Sequence, residues 1–149
     1  MPRSVAAASS DSQGKIYLYG ERHGVDKIIN KEFELWFDYY HNENMRHLFI
    51  ESPYYIAEFL NLWMQADNDD ILDVVYPAYI SPIKEFYRRI KRECPETIFH
   101  GTDVGHQYTI GQQFLRYLAA NGLEGTEQYS LAQEAIEQGT HFYEPPPLS

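Results

Sequence analysis

Apolar residues are spaced along this chain in two ways, and each spacing predicts one kind of secondary structure. Three short runs, KIYLY at 15–19, RHLFIE at 46–51 and TIFH at 97–100, are rich in β-branched and aromatic residues and predict strands. The segments that follow them place apolar residues three and four positions apart, which is the spacing of an amphipathic helix. The chain therefore predicts strands and helices in alternation.

The predicted helices are bounded by residues that start or stop a helix. Ser-Pro pairs at 52–53 and 81–82 are typical helix starts, and Pro95 ends the helix before the third run. A short helical turn is expected over 71–76, and a weaker helix over 127–138 that Gly139 ends. The apolar positions of the four main helices are Ile29, Phe33, Trp36, Phe37 and Tyr40; Ile56, Phe59, Leu60, Trp63 and Met64; Ile83, Phe86, Tyr87, Ile90 and Cys94; and Phe114, Leu115 and Leu118.

The alternation predicts an α/β fold. Parallel neighbouring strands need a crossover connection, which a helix normally supplies, so the three strands are expected to form one parallel sheet. The predicted architecture is three-layered, with a mainly parallel sheet flanked by helices. We expect a disordered leader over 1–14, the α/β domain over 15–139 and an irregular proline-rich tail over 140–149.

Composition limits the partners and the location of the protein. The 149 residues include 12 lysines and arginines against 22 aspartates and glutamates, a formal net charge of −10. Nucleic acids and anionic membranes bind cationic surfaces, so neither is an expected partner. No apolar run reaches the roughly 18 residues of a membrane span, and the N-terminus lacks the apolar centre of a secretory signal. Because Cys94 is the single cysteine, no intramolecular disulfide forms, and a cytoplasmic location is expected.

Acidic and imidazole side chains follow all three predicted strands. Glu21 and His23 come after the first strand, Glu51 ends the second, and Asp103 and His106 follow the third. Ligands of open α/β sheets bind outside the carboxyl ends of the strands, so these side chains are expected to converge. Such a cluster suits general acid–base catalysis, and its oxygen and nitrogen atoms could also bind a divalent metal such as Mn²⁺ or Zn²⁺.

Structural roles are the alternative for several of these residues. Glu21 could pair with Arg22, Asp103 could shape a turn, and His106 could cap the next helix. Three tyrosines flank the expected site and could line an apolar ligand pocket: Tyr54, Tyr55 and Tyr108. His100 is interpreted as a packing residue at the strand end and Cys94 as a core residue. His41 and His47 are interpreted as structural residues of a helix–strand turn at the opposite end of the sheet.

Several common catalytic motifs are absent from the sequence. The chain has no HExxH zinc motif, no GxSxG nucleophile elbow and no GxGxxG or GxxxxGK[ST] phosphate loop. These absences argue against nucleotide-binding, nicotinamide-dependent and serine-hydrolase functions.

The three strand-end motifs together resemble those of the erythromycin esterase and ChaN/Tiki-like (TraB-type) superfamily. Gly-Glu-x-His-Gly stands at 20–24, Glu51 ends the second run, and Gly-x-Asp stands at 101–103. The resemblance covers about residues 15–120 and corresponds to the N-terminal portion of the longer family fold. It implies that Glu21, His23 and Glu51 belong to the functional set, with Asp103 a weaker match.

The resemblance implies a hydrolase in which a glutamate–histidine cluster activates water against an ester or amide bond of a small molecule or peptide. Its alternatives are a ChaN-like module that binds haem or another apolar ligand, and a catalytically incomplete fragment of the fold. A partial sheet would leave a strand edge uncovered, which favours association into a homo-oligomer.

Overall fold

The computed structural model describes residues 5–6, 16–18, 25–76 and 81–143, and this part of the chain combines four strands with six helices. The strands are β1 Val5–Ala6, β2 Tyr17–Leu18, β3 His47–Pro53 and β4 Ile98–Asp103. The helices are α1 Asp26–Asn42, α2 Tyr54–Met64, α3 Asp70–Val75, α4 Ser81–Glu93, α5 Tyr108–Ala120 and α6 Glu127–Tyr143. None of the helices in the described ranges is long and apolar enough to cross a membrane.

The second and third predicted strands pair in parallel, as expected. The register runs from His47 opposite Ile98 to Ile50 opposite Gly101, then shifts so that Pro53 lies opposite Asp103. Three helices, α2 to α4, connect the two strands. Strand β4 continues past the predicted run through Gly101 to Asp103. Glycine suits position 101 because a Cβ there would lie 2.6 Å from the carbonyl oxygen of Pro53 on the neighbouring strand.

The first predicted strand takes a different partner from the one expected. Within the described residues, β2 pairs antiparallel with β1 and belongs to a separate two-stranded sheet. Antiparallel pairing needs no crossover helix, and the side chains of Ile16 and Leu18 are 67% and 73% exposed, unlike those of a central parallel strand. Strand β1 also gives regular structure to part of the segment expected to be a leader.

Helix α2 supplies the centre of the core. Its residues Leu60 and Trp63 are fully buried, and the helix packs against β4, whose Phe99 is also buried. Apolar residues dominate every face of α2, as expected for a helix covered on several sides. The side chain of Asn61 accepts a hydrogen bond from the Phe99 N–H at 2.8 Å and donates one to its carbonyl oxygen at 3.0 Å. The amide group of Asn61 thus occupies the outer edge of β4, where a further strand would otherwise pair.

The α2 packing leaves one face of the β3–β4 pair exposed within the described structure. Leu48 and Phe99 point into the core, whereas Phe49 and Ile98 are 66% and 43% exposed. This alternation follows from the period of two residues along a strand.

The C-terminal helix corrects one predicted boundary. Gly139 does not end α6, which continues to Tyr143. Instead, Gly139 lies against the backbone of Gly105, and a Cβ at position 139 would overlap the Gly105 carbonyl group. Glycine is therefore required there by close approach of two backbones and not by a helix stop.

Candidate functional site

The carboxyl end of the β3–β4 pair carries three of the five predicted catalytic residues. Glu51 lies near the end of β3, Asp103 is the last residue of β4, and His106 lies in the β4–α5 loop, residues 104–107. Glu21 and His23 fall outside the described residues. The structure thus brings Asp103 and His106 together and places Glu51 on the neighbouring strand.

Asp103 and His106 form a close acid–imidazole pair. Oδ2 of Asp103 lies 3.3 Å from Nδ1 of His106, and both side chains are about one-third exposed. The other carboxylate oxygen accepts a hydrogen bond from the Val104 N–H at 2.8 Å. One oxygen of Asp103 therefore shapes the turn, as considered for it, and the other faces the imidazole.

The surroundings of His106 favour one tautomer. Its Nδ1 also lies 3.0 Å from the carbonyl oxygen of Val104, so two oxygen atoms face the same nitrogen. Both oxygens are acceptors, which favours a proton on Nδ1 and leaves the lone pair on Nε2. An imidazole oriented in this way by a carboxylate is the arrangement of a general base.

The loop that carries His106 is held in a strained conformation. Gln107, the next residue, has φ 57° and ψ 48°, which is the left-handed region that non-glycine residues rarely occupy. The hydroxyl of Tyr55 donates a hydrogen bond to the carbonyl oxygen of His106. Burial, with Tyr108 and Asp103 nearby, raises the pKa of Tyr55 to about 12, so this donor keeps its proton. Tyr55 thus fixes the loop from the core side.

Helix α6 fixes the same loop from the other side. Gly105 packs so closely against α6 that a Cβ there would overlap the Ala135 backbone, and Gly139 approaches Gly105 in return. The hydroxyl of Tyr108, the first residue of α5, donates to the Gly139 carbonyl oxygen at 2.8 Å. Gly139 was not predicted to contact the site. A glycine near the end of a helical pattern predicts a helix end, and only the tertiary structure shows its contact with Gly105.

The three tyrosines expected to line a pocket have different surroundings. Tyr55 is fully buried, and the hydroxyls of Tyr55 and Tyr108 both donate to backbone carbonyl groups. Tyr54 is half-buried at the start of α2. Burial, together with the negative charges of Glu58 and Glu127, raises its pKa to about 12. Tyr55 and Tyr108 therefore use their hydroxyls to hold the loop and α6.

No metal centre is assembled by the described residues alone. Within residues 5–6, 16–18, 25–76 and 81–143, no group of three or more His, Cys, Asp or Glu side chains is arranged to hold a metal ion. The pair of Asp103 and His106 supplies only two such ligands, and the expectation of a Mn²⁺ or Zn²⁺ site stays a prediction.

Two histidines interpreted from the sequence as structural residues, His47 and His100, form a pair on the exposed face of the sheet. Nδ1 of His47 lies 2.9 Å from Nε2 of His100, and the His100 ring stacks on Phe49 with centroids 4.7 Å apart. Burial and the neighbouring His47 lower the pKa of His100, against a smaller opposite effect of Glu58. The pairing could have been found from the strand period, which puts positions 47 and 49 on one face and, with parallel register, position 100 beside them.

Comparison with known proteins finds no significant match to this chain among protein-family models, curated proteins or solved structures. The resemblance to the erythromycin esterase and ChaN/Tiki-like superfamily rests on the strand-end motifs and stays a prediction.

Proposed function

We propose that this protein is a hydrolase of ester or amide bonds, with His106 as its general base and Asp103 as the group that orients it. The observation that carries the proposal is the 3.3 Å contact between Asp103 Oδ2 and His106 Nδ1 at the carboxyl end of two parallel strands. Ligands of α/β sheets bind at this end, so the pair lies where a substrate is expected.

The chemistry follows from the tautomer of His106. Nε2 takes a proton from a water molecule as the water oxygen attacks the substrate carbonyl carbon, and Asp103 stabilises the imidazolium that forms. The imidazolium then returns the proton to the departing alkoxide or amine as the tetrahedral intermediate collapses. The proton taken from water thus leaves with the alkoxide or amine, and the reaction needs no reactant other than water and the substrate.

The remaining predicted residues have supporting roles in this proposal. Glu51 would orient the water molecule or hold a divalent cation from the neighbouring strand. Glu21 and His23 would complete the glutamate–histidine cluster that the resemblance implies. At the level of the fold, we propose that the parallel β3–β4 pair belongs to a three-layered, mainly parallel sheet of the erythromycin esterase-like kind.

The β4–α5 loop is constrained from several sides, which supports the proposal. A left-handed Gln107, a tyrosine hydroxyl on the His106 carbonyl and a backbone contact between Gly105 and α6 act on three consecutive residues. Strained backbone persists where the surroundings impose it, and such conformations are concentrated at functional sites.

The proposal is tested by hydrolysis of a chromogenic ester, p-nitrophenyl acetate, and of an unstructured peptide, each with and without Mn²⁺ or Zn²⁺. We expect His106→Gln to lower kcat/KM by roughly 10²–10⁴-fold, the contribution typical of general base catalysis. Asp103→Asn should lower it as well, because the amide cannot stabilise the imidazolium. His41→Gln is the matched control, since His41 contacts the Glu93 carbonyl oxygen at the other end of the sheet.

Equal rates for the wild type, His106→Gln and His41→Gln would overturn the assignment of His106. Absence of any hydrolysis above buffer, with either cation, would overturn the hydrolase itself. A titration with haem distinguishes the hydrolase from the main alternative, a ChaN-like haem-binding module, because such a module would shift the Soret absorbance band of haem. The use of the Tyr55 and Tyr108 hydroxyls by backbone groups disfavours both as iron ligands.

A further inference from the structure

We propose that His47 and His100 form a binding site for a divalent late transition-metal ion, with Cu²⁺ bound most tightly. The site is independent of the hydrolase proposed above. It lies on the exposed face of the β3–β4 pair and uses Nδ1 of His47 and Nε2 of His100, which are 2.9 Å apart. Water molecules would complete the coordination.

The separation of the two nitrogen atoms shows that both rings can reach one ion. Two neighbouring imidazole ligands of a metal ion lie about 2.9–3.3 Å apart when each metal–nitrogen bond is about 2.0–2.1 Å. The two nitrogens already lie 2.9 Å apart as hydrogen-bond partners, so a small turn of the exposed His47 ring is enough to direct both at a shared cation. Copper leads the general order of affinity among divalent first-row ions.

The two rings are suited to converge on a shared ion. His100 is held by its stack on Phe49 and by its place within β4, so one ligand is already oriented. His47 begins β3 and is exposed, which allows its ring to turn toward the solvent side. The ring planes are inclined by 33°, with centroids 5.1 Å apart. Without a metal ion one ring donates its N–H to the other. On binding, the donor ring changes tautomer and carries its proton on its other nitrogen, so that both lone pairs face the cation.

The binding test uses the full chain and Cu²⁺, Ni²⁺ and Zn²⁺ as separate probes in calorimetric titrations at about pH 7. We expect saturable binding of one Cu²⁺ ion with an electron paramagnetic resonance signal that indicates two nitrogen ligands. His47→Gln and His100→Gln should each weaken Cu²⁺ binding by more than about tenfold, since even outer-shell changes at metal sites cost 10–100-fold. His41→Gln is the control and should bind as the wild type does, and His106→Gln is measured beside it to detect an ion at the carboxyl end.

A second measurement needs no variant that might unfold. Cu²⁺ should protect His47 and His100 of the wild-type protein from diethyl pyrocarbonate, as mapped by mass spectrometry, and should leave His41 reactive. Unchanged Cu²⁺ affinity in both His47→Gln and His100→Gln would overturn the proposal. Loss of Cu²⁺ binding in His106→Gln alone would also overturn it, because the ion would then bind at the carboxyl end. Protection of His106 in place of His47 and His100 would have the same meaning. Neither result would bear on ester hydrolysis measured without added metal.

Discussion

At the amino end of the β3–β4 pair, side chains from α1 bond to the connection between α4 and β4, whereas at the carboxyl end the acid–imidazole pair lies within one short stretch of chain. Trp36 Nε1 donates to Thr97 Oγ1 at 3.0 Å, and this hydroxyl donates to the Cys94 carbonyl oxygen at 2.7 Å. Asp103 and His106, by contrast, are three residues apart in sequence. The amino end therefore links distant segments through its side-chain pairs. At the carboxyl end the acid–imidazole pair is local in sequence, and Tyr55 and α6 contact the backbone of its loop.

The two ends also differ in how far their polar side chains are buried. Trp36 and Thr97 are 3% and 4% exposed, and Arg46 links Glu96 to the backbone at Tyr40. No buried side-chain nitrogen or oxygen in the described ranges lacks a hydrogen-bond partner. Asp103 and His106 keep about a third of their side-chain surface in contact with solvent. Polar groups at the amino end thus stabilise the fold, and those at the carboxyl end can meet a ligand.

The largest effect that separates the two ends is expected from Trp36. Trp36→Ala removes a buried aromatic ring and should lower the free energy of unfolding by about 3–5 kcal/mol. His106→Ala, at the partly exposed end, should lower it by less than about 1 kcal/mol. Urea denaturation followed by circular dichroism measures both. Similar losses for the two variants would contradict the division of roles between the ends.

A smaller effect is expected from the hydroxyl of Thr97. Thr97→Val keeps the shape of the side chain but leaves the buried Trp36 N–H without its acceptor, which should cost about 1–3 kcal/mol. Thr97→Ser keeps the hydroxyl and serves as the control, with a smaller loss. A valine variant as stable as the wild type would show that the hydrogen bond to Trp36 contributes nothing.

The smallest effect is a pH dependence that originates near the end of α2. Burial favours the neutral acid of Asp69, but hydrogen bonds from Arg88 and Trp63, with the charges of Arg88 and Lys91, outweigh it and lower the pKa of Asp69. A lowered pKa means that the folded protein binds fewer protons than the unfolded chain. This contribution is therefore present above the unfolded pKa of about 3.9 and is lost as the pH falls through the folded value.

Asp69→Asn removes that contribution and should flatten the acid side of the stability profile. The Arg88–Asp69 pair is partly exposed, so we expect at most about 1 kcal/mol between the two proteins at neutral pH. Denaturation at a series of pH values from about 7 to 3 measures the slopes. Parallel profiles for the wild type and the variant would exclude Asp69 as a source of the acid sensitivity.

Periodicity predicted the elements that depend on local pattern. Helices α2 and α5 and the parallel pairing of β3 with β4 are confirmed, because their apolar spacing matches the faces that they bury. The partner of β2 was not predictable, since strand pairing depends on which distant segment competes for the edge. The contact between Gly105 and Gly139 depends on tertiary packing in the same way.

For the site too, the local contact was predictable and the long-range contact was not. Asp103 and His106 could be placed together because they follow one strand and are three residues apart. The His47–His100 pair spans 53 positions, and only the register of two strands reveals it.

The backbone contact between Gly105 and Gly139 also implies an order of events during synthesis. The residues of β3, α2 and β4 leave the ribosome before α6 exists, so the central core can condense first. The β4–α5 loop reaches its final geometry only after Gly139 has emerged and α6 has docked. The loop that carries His106 therefore lacks the contact with α6 until residue 139 has left the ribosome.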